Sequence, residues 1–205
     1  EAAESSLQKE ALTLALGKAD QKPEDMRYLF AGDLLGQLIA SSFGLKTFEI
    51  PLFGLYGACS TCGEALALSA MTVAAGYADR VAAVTSSHFA SAEKQFRPLE
   101  YANQRPVSAT WTVTGGGAFI LSKEAKQPLA KVAGVTTGKI VDYGIKDSMN
   151  MGAVMAPAIA RIEPYQGNGV FARLMVLHTI IGVRCFSHFS SQTIPSRMKR
   201  LYPLF

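Results

Sequence analysis

The stretch from Ile50 to Tyr77, IPLFGLYGACSTCGEALALSAMTVAAGY, constrains the fold of this chain more than any other. Its first residues, up to Leu55, form an apolar run that predicts a strand covered on both faces. Glycines then mark a tight turn. From Glu64 to Ala78 nearly every residue is small or apolar, which predicts a buried helix. We expect this helix to begin at or just after Cys59.

Cys59 is therefore expected near the positive end of a helix dipole. Free backbone N–H groups at such a position favour a thiolate and bind anions. The alternative is that Cys59 is a buried small residue that only fills space. A third interpretation comes from the motif Cys59-Ser60-Thr61-Cys62, a C-x-x-C at a strand-to-helix turn, which is also typical of a dithiol redox site. The surrounding segments do not predict a small redox domain.

Strands and helices alternate along the rest of the chain. Residues 2–17 predict an amphipathic helix with Leu7, Ala11, Leu14 and Ala15 on one apolar face. Further strands are predicted over residues 26–31, 80–86, 111–122 and 131–143, a helix over 34–43, and a polar connection over 87–110. Buried strands that alternate with helices predict a layered α/β fold with a largely parallel sheet.

Ligands of such sheets bind beyond the carboxyl ends of the strands. The candidate ligand-binding residues at that edge are Cys59, Ser60, Ser86, Ser87, His88, Arg97 and Arg105. His88 is either a surface histidine of the loop or a ligand contact. Arg97 and Arg105 are either solvated charges or guanidinium groups that reach over the edge to bind a carboxylate.

Composition excludes several classes of protein. Six basic residues and one acidic residue lie in 158–205, which leaves 14 basic and 15 acidic residues before them, so the body lacks the basic surface of a nucleic-acid binder. Neither a signal peptide nor a transmembrane helix is predicted. Three cysteines do not make a disulfide framework, and too few ligands are available for a zinc site, so we predict no metal and no cofactor.

Several motifs together resemble one protein family. They are FAGDLLGQ (30–37), GLYGACST (54–61), TSSHFASAEKQFR (85–97), QRPVSATWTVTGGGA (104–118) and GKIVDYGIKDSMNMGAVMAPA (138–158). They resemble stage V sporulation protein AD (SpoVAD), a family of thiolase-like proteins of spore-forming bacteria. The resemblance runs from about residue 3 to residue 158, and a cysteine in a thiolase-type motif alone would be far less specific.

The resemblance implies a thiolase-like α-β-α-β-α fold of two similar halves. Residues 1–125 would form the first half, residues 126–160 would begin the second, and residues 161–205 would be an atypical basic and hydrophobic tail. A change of reading frame near Ala158 would explain that tail and the loss of the second half. The family's first strand would precede Glu1, and the loop at residues 96–106 is one residue shorter than the family pattern.

The resemblance also implies a function. Family members bind dipicolinic acid (pyridine-2,6-dicarboxylate), which enters the developing spore with calcium, and they work with the other SpoVA membrane proteins. The implied location is the forespore, peripheral to the spore inner membrane through those partners, and an uncovered half would favour a homodimer. The alternative is a thiolase- or ketoacyl-synthase-type acyltransferase with Cys59 as its catalytic nucleophile, whose His and Asn partners would come from the second half.

Overall fold

The computed structural model describes residues 2–95, 112–126, 128–137, 140–146, 153, 156–157, 171–176 and 181–186. The helices are α1 (Ala2–Lys18), α2 (Ile39–Leu45), α3 (Thr61–Ala74) and α4 (Phe89–Gln95). The strands are β1 (Tyr28–Gly32), β2 (Leu52–Gly54), β3 (Arg80–Ser87), β4 (Gly115–Ser122), β5 (Lys131–Thr137), β6 (Phe171–Val176) and β7 (Ile181–Phe186). No helix in these ranges is long and apolar enough to cross a lipid bilayer.

The first four strands form one sheet in the order β2-β1-β3-β4. Strands β1, β2 and β3 are parallel, whereas β4 runs antiparallel to β3. Parallel neighbours require crossover connections, and α2 and α3 provide them, in agreement with the alternating pattern of the sequence. The carboxyl ends of β1, β2 and β3 consequently lie at one edge of the sheet.

The two faces of this sheet bury different halves of the core because successive side chains of a strand point to opposite faces. On one face, Leu29 and Val84 pack with Leu12 and Leu16 of α1 and with Leu45 of α2. On the other face, residues of β1 and β3 pack against α3; they are Phe30, Val81 and Ala83. Helix α3 therefore lies on the opposite side of the sheet from α1 and α2.

A second sheet, in the order β5-β7-β6, lies against the other side of α3. Val132 and Val135 of β5 pack against the core on the α3 side of the first sheet. The described layers therefore run α, β, α, β, which confirms the predicted α/β class. Strands β6 and β7 lie in residues 161–205, the segment that was expected to be an atypical tail, and both of their pairings are antiparallel.

Helix α1 confirms the predicted helix, but its predicted apolar face is wrong. The buried side chains are Glu4, Ser5, Gln8, Leu12 and Leu16, whereas Leu14 is 55% exposed. Three of the five buried residues are polar, so apolar periodicity alone placed the face wrongly. The Glu4 and Gln8 side chains have hydrogen-bond partners on other elements, as described below, whereas the buried Ser5 hydroxyl has none among the described residues.

Strand β2 is shorter and more exposed than predicted. Among the described strands it pairs with β1 alone and forms an edge of the first sheet. Leu52 is 41% and Phe53 50% exposed, so the prediction of a strand covered on both faces is wrong. The Phe53 ring is held by stacking on Phe30 at 5.1 Å between centroids and by an edge contact with Tyr28 at 5.5 Å. Aromatic pairs of this kind stabilise an edge strand that lacks a second neighbour.

The predicted helix over residues 34–43 is instead a 3₁₀ turn followed by α2. Gln37 and Leu38 have left-handed backbone angles, with φ of 59° and 55°. The Asp33 carboxyl group holds this kink, because it accepts hydrogen bonds from the Leu35 N–H at 3.0 Å and from the N–H and hydroxyl groups of Ser41. A short polar side chain that binds nearby backbone in this way competes with a regular helix.

Candidate functional site

The turn between β2 and α3 presents Cys59 at the edge of the sheet. A 3₁₀ turn, Ala58–Ser60, leads directly into α3. The Ser60 hydroxyl donates to the Gly57 carbonyl at 2.6 Å, and the Gly57 N–H donates to the Thr61 hydroxyl at 3.1 Å. These bonds fix the turn from the inside, and they leave Cys59 exposed on its outside.

Ala58 has a left-handed backbone, with φ of 48°. For a residue with a Cβ atom this conformation costs about 1–2 kcal/mol, and strain of this kind persists only where the surrounding structure imposes it. A strained turn between a strand and a helix is also how nucleophile elbows expose a reactive side chain. The geometry of Ala58 therefore favours a site at Cys59 over the space-filling alternative.

Residues at the end of β3 face two different partners. The Ser86 hydroxyl donates to Glu4 Oε1 at 3.0 Å, and the Ser87 hydroxyl donates to the Val113 carbonyl at 2.6 Å. His88 follows immediately; its Nδ1 accepts the Ala90 N–H at 3.2 Å. A neutral His88 that accepts at Nδ1 carries its proton on Nε2, which makes Nε2 a hydrogen-bond donor.

Buried polar side chains of α1 hold this end of β3. The Glu4 carboxyl group is 2% exposed and accepts from Ser86 and, at 2.8 Å, from the Ser91 hydroxyl. The Gln8 amide nitrogen donates to the Ser86 hydroxyl at 2.9 Å and to the Ser41 hydroxyl at 3.0 Å. A chain of hydrogen bonds therefore runs from Glu4 through Gln8 to the kink before α2.

The sequence interpretation missed Glu4 and Gln8. They occupy the same helical stripe as Leu12 and Leu16, at spacings of four residues. Polar residues in line with a buried apolar stripe were the available signal, because such a position is buried with its neighbours.

The Cys59 turn and the Ser86–His88 segment meet at the same edge. Strand β1 separates β2 from β3, so the two strand ends lie about 10 Å apart at the usual strand spacing. Gly32 at the end of β1 permits the close approach, because a Cβ atom there would lie 2.1 Å from the Leu55 carbonyl oxygen. The Cys62 thiol, at the start of α3, hydrogen-bonds with Thr85 of β3, and this bond connects the helix after the Cys59 turn to the strand before His88.

Two titratable groups modify the chemistry of this edge. Burial raises the pKa of the Cys62 thiol, and its hydrogen bond with Thr85 opposes part of that effect. Glu64 lies in the first turn of α3, and its Oε2 atom would be 2.9 Å from a Cβ atom built on Gly57. An acidic side chain beside the Cys59 turn partly neutralises the positive end of the helix dipole, and it thereby reduces the attraction of this turn for an anion.

The predicted ligand-binding residues have different surroundings. Cys59 is exposed and His88 is partly buried at the shared edge. The Ser60, Ser86 and Ser87 hydroxyl groups each donate to a group within the protein. Arg97 and Arg105 lie outside the described residues. The ligand-binding role of all seven residues stays a prediction. Within the described part of the chain, no group of three or more His, Cys, Asp or Glu side chains could hold a metal ion.

Solved structures with the same architecture define the class of protein. The chain is similar to 3-oxoacyl-[acyl-carrier-protein] synthase III from Aquifex aeolicus, with a TM-score of 0.52, 16% identity, and coverage of 65% of this chain and 42% of the synthase. It is also similar to AbyA1, a tetronic acid condensing enzyme, with a TM-score of 0.50, 19% identity, and coverage of 65% and 41%. The fold is thiolase-like.

The sequence comparison defines the family. Residues 1–165 match the family model of stage V sporulation protein AD (SpoVAD). Stage V sporulation protein AD of Bacillus subtilis (strain 168) is 42% identical over 161 residues, which are 78% of this chain and 47% of that protein. The chain belongs to the SpoVAD family of sporulation proteins, and it spans about half the length of this relative.

Proposed function

We propose that this chain is a non-catalytic, dipicolinate-binding SpoVAD protein that serves dipicolinate uptake into the developing spore. The observation that carries the proposal is the meeting of the Cys59 turn and the His88 segment at one sheet edge, in a chain of this family. Dipicolinate is a rigid dianion with a ring nitrogen. The start of α3 would attract one carboxylate, and His88 Nε2–H would donate to the ligand.

The cellular setting is part of the same proposal. The protein would act in the forespore, beside the spore inner membrane, through contacts with the other SpoVA membrane proteins. Calcium would accompany dipicolinate as cargo. None of these steps requires a cofactor. Arg97 or Arg105 would supply a guanidinium for the second carboxylate.

A homodimer is the assembly that we propose. Strand β2 is an edge of its sheet, and Phe53 on it is half exposed, as are Leu52 beside it and Phe43 on α2. Exposed apolar side chains along a sheet edge favour pairing with another chain. Light scattering tests this: the Phe53→Asp variant is expected to be monomeric, and a monomeric wild-type chain would contradict the proposal.

Calorimetric titration with dipicolinate tests the binding proposal. The chain should be titrated beside a chimera in which residues 1–158 are joined to the remainder of the B. subtilis relative. Benzene-1,3-dicarboxylate is the matched control ligand, because it keeps both carboxylates and lacks the ring nitrogen. We expect saturable binding of dipicolinate and weaker binding of the control; no binding by the chimera would overturn the proposal.

Three variants locate the site. His88→Ala should weaken binding most, because it removes a donor. Cys59→Ser should weaken binding only mildly, since the backbone of the turn remains. Glu64→Gln should strengthen binding, because it removes a negative charge beside an anion. If all three variants bind dipicolinate as tightly as the wild type does, the ligand binds elsewhere.

Acyl transfer is the second candidate function, and the left-handed Ala58 that exposes Cys59 favours it. A covalent step needs a nucleophile, a base and donors for the oxyanion. Incubation of the chimera with acetyl-CoA tests it by intact mass. An acetyl adduct that is lost in Cys59→Ser would support acyl transfer, and an unmodified chimera would exclude it for this acyl group.

A further inference from the structure

We propose that Cys59 and Cys62 form a reversible disulfide across the 3₁₀ turn that precedes α3, so that the Cys59 turn is a redox-sensitive site. The inference does not depend on dipicolinate binding. It concerns a thiol pair that both candidate functions leave unexplained, because each of them uses Cys59 alone.

The first support is the local backbone. The Ser60 N–H donates to the Gly57 carbonyl at 2.9 Å, and the Thr61 N–H donates to the Ala58 carbonyl. Both are i to i−3 bonds, and the 3₁₀ turn that they form contains Cys59, whereas Cys62 is the second residue of the α-helix that follows. Helical residues three apart have Cβ atoms about 5–6 Å apart, and a disulfide needs about 4 Å, so closure requires the two Cβ atoms to approach by about 1–2 Å.

The second support is the unequal exposure of the two thiols. Both cysteines are free, with Cys59 exposed and Cys62 partly buried. The Cys62 thiol packs beside the core under α3 and hydrogen-bonds with Thr85. An exposed thiol backed by a shielded one is the arrangement that lets the outer sulfur react first and the inner sulfur resolve the product.

The chemical steps balance with a small disulfide such as oxidised glutathione as oxidant. The Cys59 thiolate attacks one sulfur of glutathione disulfide, which forms a mixed disulfide and releases one glutathione thiolate. Deprotonated Cys62 then attacks the Cys59 sulfur, which forms the Cys59–Cys62 bond and releases the second glutathione. Two protein thiols are oxidised, and one glutathione disulfide is reduced to two glutathione thiols.

The rate of the second step should depend on pH. Burial raises the pKa of Cys62, so less of its thiolate is present near neutral pH and the mixed disulfide should persist longer there. At alkaline pH the second step should accelerate. Once formed, the disulfide removes the Cys59 thiol from the edge of the sheet, and it would block any acylation of that residue.

The test uses the folded full chain in a glutathione buffer, followed by alkylation and tryptic digestion. One expected peptide, residues 47–80, contains Cys59 and Cys62, whereas Cys185 lies outside it. We expect this peptide to lose the mass of two hydrogen atoms and to regain it on reduction. Cys62→Ser should instead keep glutathione on Cys59, and Cys59→Ser should leave Cys62 largely unmodified.

Three results would overturn the inference. They are a wild-type peptide that keeps both thiols free, one that at alkaline pH still keeps glutathione on Cys59 without forming the Cys59–Cys62 bond, and closure only after unfolding in urea. A dipicolinate titration of the reduced chain keeps the two proposals separate. If the disulfide forms but the reduced chain does not bind dipicolinate, the redox site is supported and the dipicolinate-binding proposal is contradicted.

Discussion

The Glu4 carboxyl group should contribute far more to stability than an acidic residue on a helix normally does. Glu4→Ala removes the acceptor of two hydroxyl groups, Ser86 at 3.0 Å and Ser91 at 2.8 Å. The Ser91 hydroxyl keeps a second acceptor, the His88 carbonyl at 3.2 Å. The Ser86 hydroxyl still accepts a hydrogen bond from Gln8, but its own proton loses the acceptor that Glu4 provides.

The magnitude follows from those contacts. An unsatisfied buried donor costs about 1–3 kcal/mol, and the weakened Ser91 bond adds about 1 kcal/mol. Glu4→Ala should therefore lower the free energy of unfolding by about 2–4 kcal/mol. At about 2–4 °C per kcal/mol for a chain of this size, the melting temperature should fall by roughly 4–16 °C.

Chemical and thermal unfolding would measure this difference. Glu10→Ala is the matched control, because Glu10 is an exposed acid on the same helix and its loss should change stability by less than about 0.5 kcal/mol. The stability of Glu4→Gln should lie between those of Glu4→Ala and Glu10→Ala, because its amide oxygen accepts a hydrogen bond from one serine while its NH₂ group faces the other. Equal stability of Glu4→Ala and Glu10→Ala would refute the role of the buried network.

Two further predictions concern the turns at the sheet edge. Gly32→Ala places a Cβ atom 2.1 Å from the Leu55 carbonyl oxygen and should lower the free energy of unfolding in urea by about 1–3 kcal/mol. Gly17→Ala is the control, because nothing lies within 4 Å of its Cβ position, and it should be neutral or stabilising. Equal effects of the two substitutions would contradict the close approach at Gly32. Burial raises the pKa of Cys62, so the folded state holds that proton more tightly than the unfolded state does. This contribution is complete below the unfolded-state pKa and is lost as pH rises towards the folded-state value, so wild type should lose more stability at alkaline pH than Cys62→Ser, and parallel pH profiles would contradict it.

The sequence predicted the strand, turn and helix around Cys59 because each of them depends on local pattern. An apolar run, glycines and a helix of small residues are sufficient to place the turn, and parallel strands then bring Cys59 and His88 to one edge. The helix at the chain's start was also predictable, although its buried face was not. Gln8 is buried because Ser86, 78 residues further along, receives its hydrogen bond, and no local pattern contains that partner.

Two other differences have the same kind of cause. The exposure of β2 depends on its place at the edge of the sheet. The sequence does not show that place, because an apolar run is compatible with an edge strand and with a central strand. The left-handed pair Gln37 and Leu38 depends on the Asp33 side chain, which binds Ser41 eight residues later. Glycine is the usual signal for such a backbone, and neither residue is a glycine.

Binding of dipicolinate at the Cys59 and His88 edge is the central claim, and a calorimetric titration of the chimera and its His88→Ala variant tests it most directly. The account predicts saturable binding at one site, with an affinity at least tenfold weaker in the variant. Heat that is absent from both proteins, or the same in both, would contradict it.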